Sequence, residues 1–176
     1  MEKIVRMELH KHKFRQRALE KLMNKLIKEL KDDPMREGLI DTPLRVVGLI
    51  TKYLDGQRFS NSEIAKMFNY TSTVKGCGVI EVKGIKAITV SELTLIPYNI
   101  EVDIAYKPNK LVLGTSKIHK LVDLCSKRLR IQENIAQDIY DVLYGILNTK
   151  DISIKILGHQ IDGDVYTELK RGIFER

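Results

Sequence analysis

Only two residues of this 176-residue chain are cysteine, Cys77 and Cys125. They form no CxxC pair and are too few for a disulfide framework, which fits a reducing compartment. Cys125 shares a helix face with Ile118, Leu121 and Val122 and reads as a small core residue. No apolar run approaches the roughly 20 residues needed to span a bilayer, and the first residues carry no apolar signal core. These absences speak against a disulfide scaffold and a helical membrane protein, and predict a soluble, cytoplasmic chain with no membrane partner. Also missing are any Ser-His-Asp, Walker or GxGxxG pattern, any repeat, any low-complexity tract and any long linker. The length is that of one domain with a helical appendage.

Charge is unevenly spread. Residues 1–31 hold ten Lys/Arg against four Glu, a net of +6 out of the chain's +7. A basic helix is the electrostatic footprint of a nucleic-acid or other anionic partner, and equally of a solvated helix face. Leu19, Leu22, Leu26 and Leu30 recur at three- and four-residue steps, so residues 14–31 read as a helix whose apolar stripe packs on something. Thr42 followed by Pro43 reads as an N-cap and first-turn pair opening a second helix that stops near Asp55-Gly56. A short helix is expected from Ser62 to Phe68.

The character then changes. Residues 74–107 are rich in Val, Ile, Thr and Tyr, and Ile100, Val102, Ile104 and Tyr106 alternate with Glu101, Asp103 and Ala105. That alternation predicts a strand with one covered face. Two helices follow. Ser116 is expected to cap the first, and the second presents Ile135, Ile139, Val142, Leu143 and Ile146. A final strand pair over residues 152–157 and 165–173 turns at Asp162-Gly163. The order suits an α+β architecture, an antiparallel sheet with a helix pair on one face, divided as an N-terminal helical region (1–70) and a sheet domain (71–176).

Two segments carry more than composition: Arg36-Glu37-Gly38-Leu39-Ile40-Asp41-Thr42-Pro43-Leu44-Arg45-Val46 and Gly114-Thr115-Ser116-Lys117-Ile118-His119-Lys120-Leu121. Arg130-Ile131-Gln132-Glu133-Asn134 follows. In this order and spacing they resemble GTP cyclohydrolase I, a zinc enzyme family that opens the guanine ring of GTP on the way to pterins. The resemblance implies a T-fold whose subunits join sheets into a barrel, hence a homo-oligomer, pentamer or decamer. Unpaired sheet edges make such joining physically reasonable.

The resemblance also implies a ligand site. Glu133 stands where the family grips guanine, with Gln132 beside it. A carboxylate accepts from the ring N–H and the exocyclic amino group, which adenine cannot match. Glu133 alone would read equally as a helix-start glutamate favoured by the macrodipole. Ser116 and Lys117 match positions near the triphosphate, with Lys120 replacing a usual arginine; a helix start with a lysine in its first turn suits an anion, and the plain reading is a cap with a solvated lysine. Arg45 is a weaker phosphate candidate. Residues 166–174 look like the family's closing strand, but the loop before it is shortened and lacks a phosphate-binding arginine.

The catalytic segment departs from the family. Its Cys-Glu-His-His falls on Ser91-Glu92-Leu93-Thr94, its last zinc cysteine on Gln160 and a catalytic histidine on Gly158, with His159 one residue out of register. Serine, threonine and glutamine are poor zinc donors, and zinc needs three good ones plus an open position. The expectation is no metal and no cofactor, with binding of a purine or pterin nucleotide in place of ring opening. Two alternatives stay open: an enzyme with altered ligands or a metal-free reaction, and a nucleic-acid or protein-interaction module built on the basic helix. Cys77 is a further, weak nucleophile candidate.

Overall fold

The structure, a computed structural model, describes residues 15–68, 71–74 and 78–175. They fall into two compact units that divide between Tyr53 and Leu54. Cys77 and the first half of the basic segment lie outside the described residues.

The first unit holds helices α1 (Gln16–Glu29) and α2 (Thr42–Tyr53). The expected stripe makes α1 a helix, but no residue of α1 is buried, and Leu22, Leu26 and Leu30 stay exposed. Thr42 is not a cap: it is the first helical residue, and its hydroxyl donates back to Gly38 O at 3.4 Å. Arg45, exposed, is held by Asp41 at 3.3 Å.

The second unit begins at Leu54, upstream of the division at residue 70 expected from composition. A 3-10 turn (Asp55–Arg58) leads to α3 (Asn61–Met67). Ser60 and Glu63 form a reciprocal capping box there, Ser60 N–H donating to Glu63 Oε2 at 2.7 Å and Glu63 N–H to Ser60 Oγ at 3.3 Å. Strands β1 (Ser72–Thr73) and β4 (Leu111–Val112) form a small antiparallel pair. The main sheet is antiparallel in the order β2 (Ile80–Val90), β3 (Pro97–Tyr106), β5 (Ile152–Gln160), β6 (Gly163–Lys170). Helices α4 (Thr115–Ser126) and α5 (Gln132–Leu147) cover one face.

Alternation decides which face is covered. Val102, Ile104, Tyr106, Ile152, Ile154 and Ile156 point inward and are buried with Ile118, Leu121, Val122, Ile135, Ile139 and Val142 of the helices. The opposite face carries Glu81, Lys83, Lys86, Glu101, Lys155, Glu168 and Lys170, all exposed, with Lys155 and Lys170 both paired to Glu168 at 3.4 and 3.2 Å. In the edge strand β2 the register shifts between Val82 and Ile85, where Gly84 takes φ +69° and donates its N–H to Asp103 Oδ1 at 2.8 Å.

Cys125 sits fully buried in this core, and burial pushes its thiol up to about 12. From the ordinary value of 9.0 that is roughly a thousandfold less thiolate at pH 8. Alkylation of Cys125, followed by peptide mass spectrometry at pH 8, is therefore expected only at the rate of global unfolding. Labelling of the folded chain at the rate of a free thiol would contradict this packing.

Candidate functional site

The β2–β3 connection carries the segment Ser91-Glu92-Leu93-Thr94, and its shape is made by its own hydroxyls. Leu93 N–H and Thr94 N–H both donate to Ser91 Oγ, at 3.2 and 3.3 Å. Ile96 N–H donates to Thr94 Oγ1 at 3.3 Å. Backbone bonds close the loop, Leu95 N–H to Ser91 O at 2.9 Å and Ser91 N–H to Ile96 O at 3.0 Å. Leu95 is held in the left-handed region at φ +60°. Such a conformation costs a leucine about 1–2 kcal/mol and persists only where the surroundings over-determine it.

Ser91, Thr94, Ile96, Tyr98, Gln160, Ile161 and Asp162 together wall a cavity of about 180 Å³. The strand pairing explains why residues as far apart as Ser91 and Gln160 converge. Ser91 follows the end of β2, Tyr98 begins β3, and Gln160 ends β5 before the turn at 161–162. The cavity therefore unites three of the positions where the resemblance implies metal ligands: Ser91, Thr94 and Gln160. Leu93, 82% exposed, points to solvent, and Glu92 is exposed beside it.

This donor set does not fit a zinc ion. It holds no thiolate or imidazole, and two of its oxygens already accept backbone N–H groups. Among the described residues no group of three His, Cys, Asp or Glu side chains is placed to hold a metal. His159 does not repair the set. Strand alternation turns it to the charged face, where its Nδ1 lies 2.8 Å from Asp164 Oδ1.

Gln132 and Glu133 open α5, and they part company. Gln132 is 2% exposed; its amide nitrogen donates toward Ile156 O at 3.0 Å, Val165 O at 2.9 Å and Thr167 Oγ1 at 3.1 Å. It ties the helix start to β5 and β6, where the sequence reading has it on the ligand. Its Oε1 is buried without a partner among the described residues, packed against Gly158, where a Cβ would collide with it and come within 3.1 Å of the Tyr98 ring. Glu133 is exposed in the first turn of α5, as expected. Burial pushes the Tyr98 phenol above its ordinary value, and the negative charge of Glu133 adds to this. Tyr98 thus lines the cavity and also senses the charge of Glu133. The linker into α5 is fixed nearby, since Leu129 bridges Val90, the residue before Ser91.

The anion candidates lie elsewhere. Ser116 does not cap α4: the cap is Gly114, with no side-chain cap bond, and Ser116 is exposed in the first turn. Gly114 takes the extended conformation that a cap needs, so the helix starts two residues earlier than a cap at Ser116 requires. Lys117 is half-buried and Lys120 exposed. This end of α4 neighbours the far end of β3, where Leu113 N–H donates to the Tyr106 hydroxyl at 3.3 Å. The twelve residues of α4 put roughly 18 Å between its start and the end nearest Val90. None of Ser116, Lys117 and Lys120 lines the cavity.

Sequence reasoning missed four contributors. Tyr98 reads, beside Pro97 and Asn99, as part of a break ahead of the strand. Ile161 and Asp162 sit in a turn whose approach to residue 91 depends on strand order. Arg128 is 4% exposed; it donates to Gly56 O at 3.2 Å, Phe59 O at 2.6 Å, Asn61 Oδ1 at 2.6 Å and Asp138 Oδ2 at 2.7 Å. It anchors the linker from which Glu133 emerges, and nothing in the local sequence marks it.

The family model described as GTP cyclohydrolase I matches residues 19–161. The GTP cyclohydrolase 1 of Clostridium acetobutylicum is 38% identical over 149 residues, 81% of this chain and 76% of that protein. The bifunctional protein FolKE of Lactococcus lactis is 32% identical over 158 residues, 88% of this chain and 45% of that longer protein. Among solved structures, an archaeosine synthase QueF-Like in the apo form superimposes with a TM-score of 0.52 at 20% identity, over 56% of this chain and 97% of that one. This likeness bears on the α+β T-fold alone. Among the described residues no helix is long and apolar enough to cross a membrane. With the family matched from α1 to the end of the β5–β6 turn, and a relative this similar over most of both lengths, the chain belongs to the GTP cyclohydrolase I family.

Proposed function

We propose that this chain binds a guanine nucleotide or a pterin and does not carry out zinc-dependent ring opening. The observation that carries the reading is the wall of the 180 Å³ cavity, where Ser91, Thr94 and Gln160 stand together with no ionisable nitrogen or sulfur donor. Serine and threonine hydroxyls stay protonated near neutral pH, so they offer no charge to hold a zinc ion against water. Glu133 remains available at the open start of α5 to accept from the guanine N–H and amino groups. Gln132 supports it by fixing the helix to the sheet.

Ser116, Lys117 and Lys120 complete the reading as the phosphate subsite. They open a different helix from Glu133 and line no part of the cavity, which suits a nucleotide held between different copies. We therefore assign the site to a homo-oligomeric interface, formed as the exposed edges of β2 and β6 find partners.

The test is calorimetry of the purified chain with GTP, ATP and neopterin, alongside elemental analysis. GTP is expected to bind more tightly than ATP, with well under one zinc per chain. Stoichiometric zinc, removable by chelator with loss of a ring-opening activity, would overturn the reading. So would failure of both GTP and neopterin to bind at millimolar concentration.

A further inference from the structure

The cavity beside the β2–β3 loop is rich in hydrogen-bond donors. Ser91 Oγ accepts two backbone N–H groups of the loop and Thr94 Oγ1 accepts one. Each hydroxyl keeps its own O–H, and among the described residues neither has an acceptor for it. Tyr98 contributes a third O–H and the side chain of Gln160 an amide NH₂, again with no acceptor among the described residues. The apolar walls are Ile96 and Ile161. One carboxylate, Asp162, lies on the wall but is exposed in the turn and stays hydrated. A zinc site presents thiolate or imidazole lone pairs inward; this cavity offers three hydroxyls and a neutral amide.

Size narrows the occupant. A volume of about 180 Å³ falls below the roughly 300–1,000 Å³ of pockets that enclose a whole ligand. The cavity takes one edge of a ring, and the rest of the ligand lies outside it. Glu133 is an acceptor that suits the donor edge of guanine. Guanine's opposite edge carries only acceptors, N7 and O6.

We propose that the cavity grips the intact ring by its acceptor edge, with the hydroxyls of Ser91, Thr94 and Tyr98 and the amide of Gln160 as donors to N7 and O6. This rests on the reading that the chain binds guanine nucleotides. It gives the altered positions a binding role in place of a metal-holding one. Tyr98 becomes a specificity residue, packed against Gly158 on one side and open to the cavity on the other. Its phenol remains a donor at neutral pH because burial and Glu133 both oppose ionisation.

The decisive comparison uses GTP and 7-deaza-GTP, which replaces N7 by C–H and leaves the Glu133-facing edge unchanged. On the unaltered protein 7-deaza-GTP is expected to bind about tenfold more weakly, since a desolvated donor loses its partner. Equal affinities would overturn the inference while leaving guanine binding intact. Absence of GTP binding would overturn the underlying reading as well. The variant Tyr98→Phe keeps side-chain shape, leaves the loop's own hydroxyl bonds in place and removes one donor. It is expected to bind GTP more weakly and to lose most of the preference for GTP over 7-deaza-GTP. A preference that survives in the folded variant would show that N7 is read elsewhere.

Discussion

An Arg128→Met variant is expected to unfold at a free energy about 3–5 kcal/mol below that of the parent chain. The guanidinium donates to two backbone carbonyls, Gly56 O and Phe59 O, and to the side chains of Asn61 and Asp138. Removing it strands those carbonyls and leaves the Asp138 carboxylate, whose side chain is 12% exposed, with the Asn61 amide at 3.0 Å and a more distant cation, Arg130 Nε at 3.4 Å. An uncompensated buried charge costs more than the pair contributed, so Asp138→Leu added to Arg128→Met should recover part of the loss. Urea unfolding followed by circular dichroism measures both. A single variant within 1 kcal/mol of the parent, at unchanged m-value, would show that the network is incidental. The same contacts hold the linker ahead of Glu133, so ligand affinity should fall with stability in the single variant.

A Glu133→Gln variant is expected to weaken GTP binding by roughly 1.5–3 kcal/mol, the range for hydrogen bonds to a charged group. The loss should fall toward the lower end if the helix start stays open to water in the complex. The amide accepts one bond but turns an NH₂ group toward a ligand donor, so preference for GTP over ATP should shrink with affinity. Lys117→Ala should act differently. A lysine near phosphate works as a screened charge, so its loss should scale with phosphate number, weaken with salt and leave base preference alone. Neither position is buried in the core, so thermal unfolding should barely move in either variant. If both variants bind GTP as the parent does, Glu133 is only a helix-start glutamate and Lys117 only a lysine of the α4 surface.

How much of this was legible beforehand depended on the range of the interactions. The faces of α4 and α5 and the inward residues of β3 follow from periods of 3.6 and 2, and each predicted core position on them is buried. Family motifs brought Glu133 and the Ser91, Thr94 and Gln160 set to attention, and the structure collects that set around one cavity. What stayed hidden were choices made by distant partners. Gln132 reads as a polar helix-start residue until carbonyls 24 and 33 residues away claim its amide. Arg128 looks like any surface arginine between Lys127 and Arg130, yet its acceptors lie up to 72 residues back. Ser116 lost the cap to Gly114 because propensity favours serine without excluding glycine. The apolar stripe of α1 correctly gave a helix and said nothing about whether anything covers it.

The left-handed Leu95 makes the β2–β3 loop a spring already wound during folding. Its hydroxyl and backbone bonds close within residues 91–96, so no guest is needed to set the shape. A ligand arriving at the cavity meets a rim with little freedom left to lose, which favours fast capture and spares the ordering entropy that a floppy loop would charge against affinity. The corresponding drawback is rigidity of preference: a rim that cannot rearrange will admit few ring shapes, so selectivity among heterocycles should be sharp even where binding is modest.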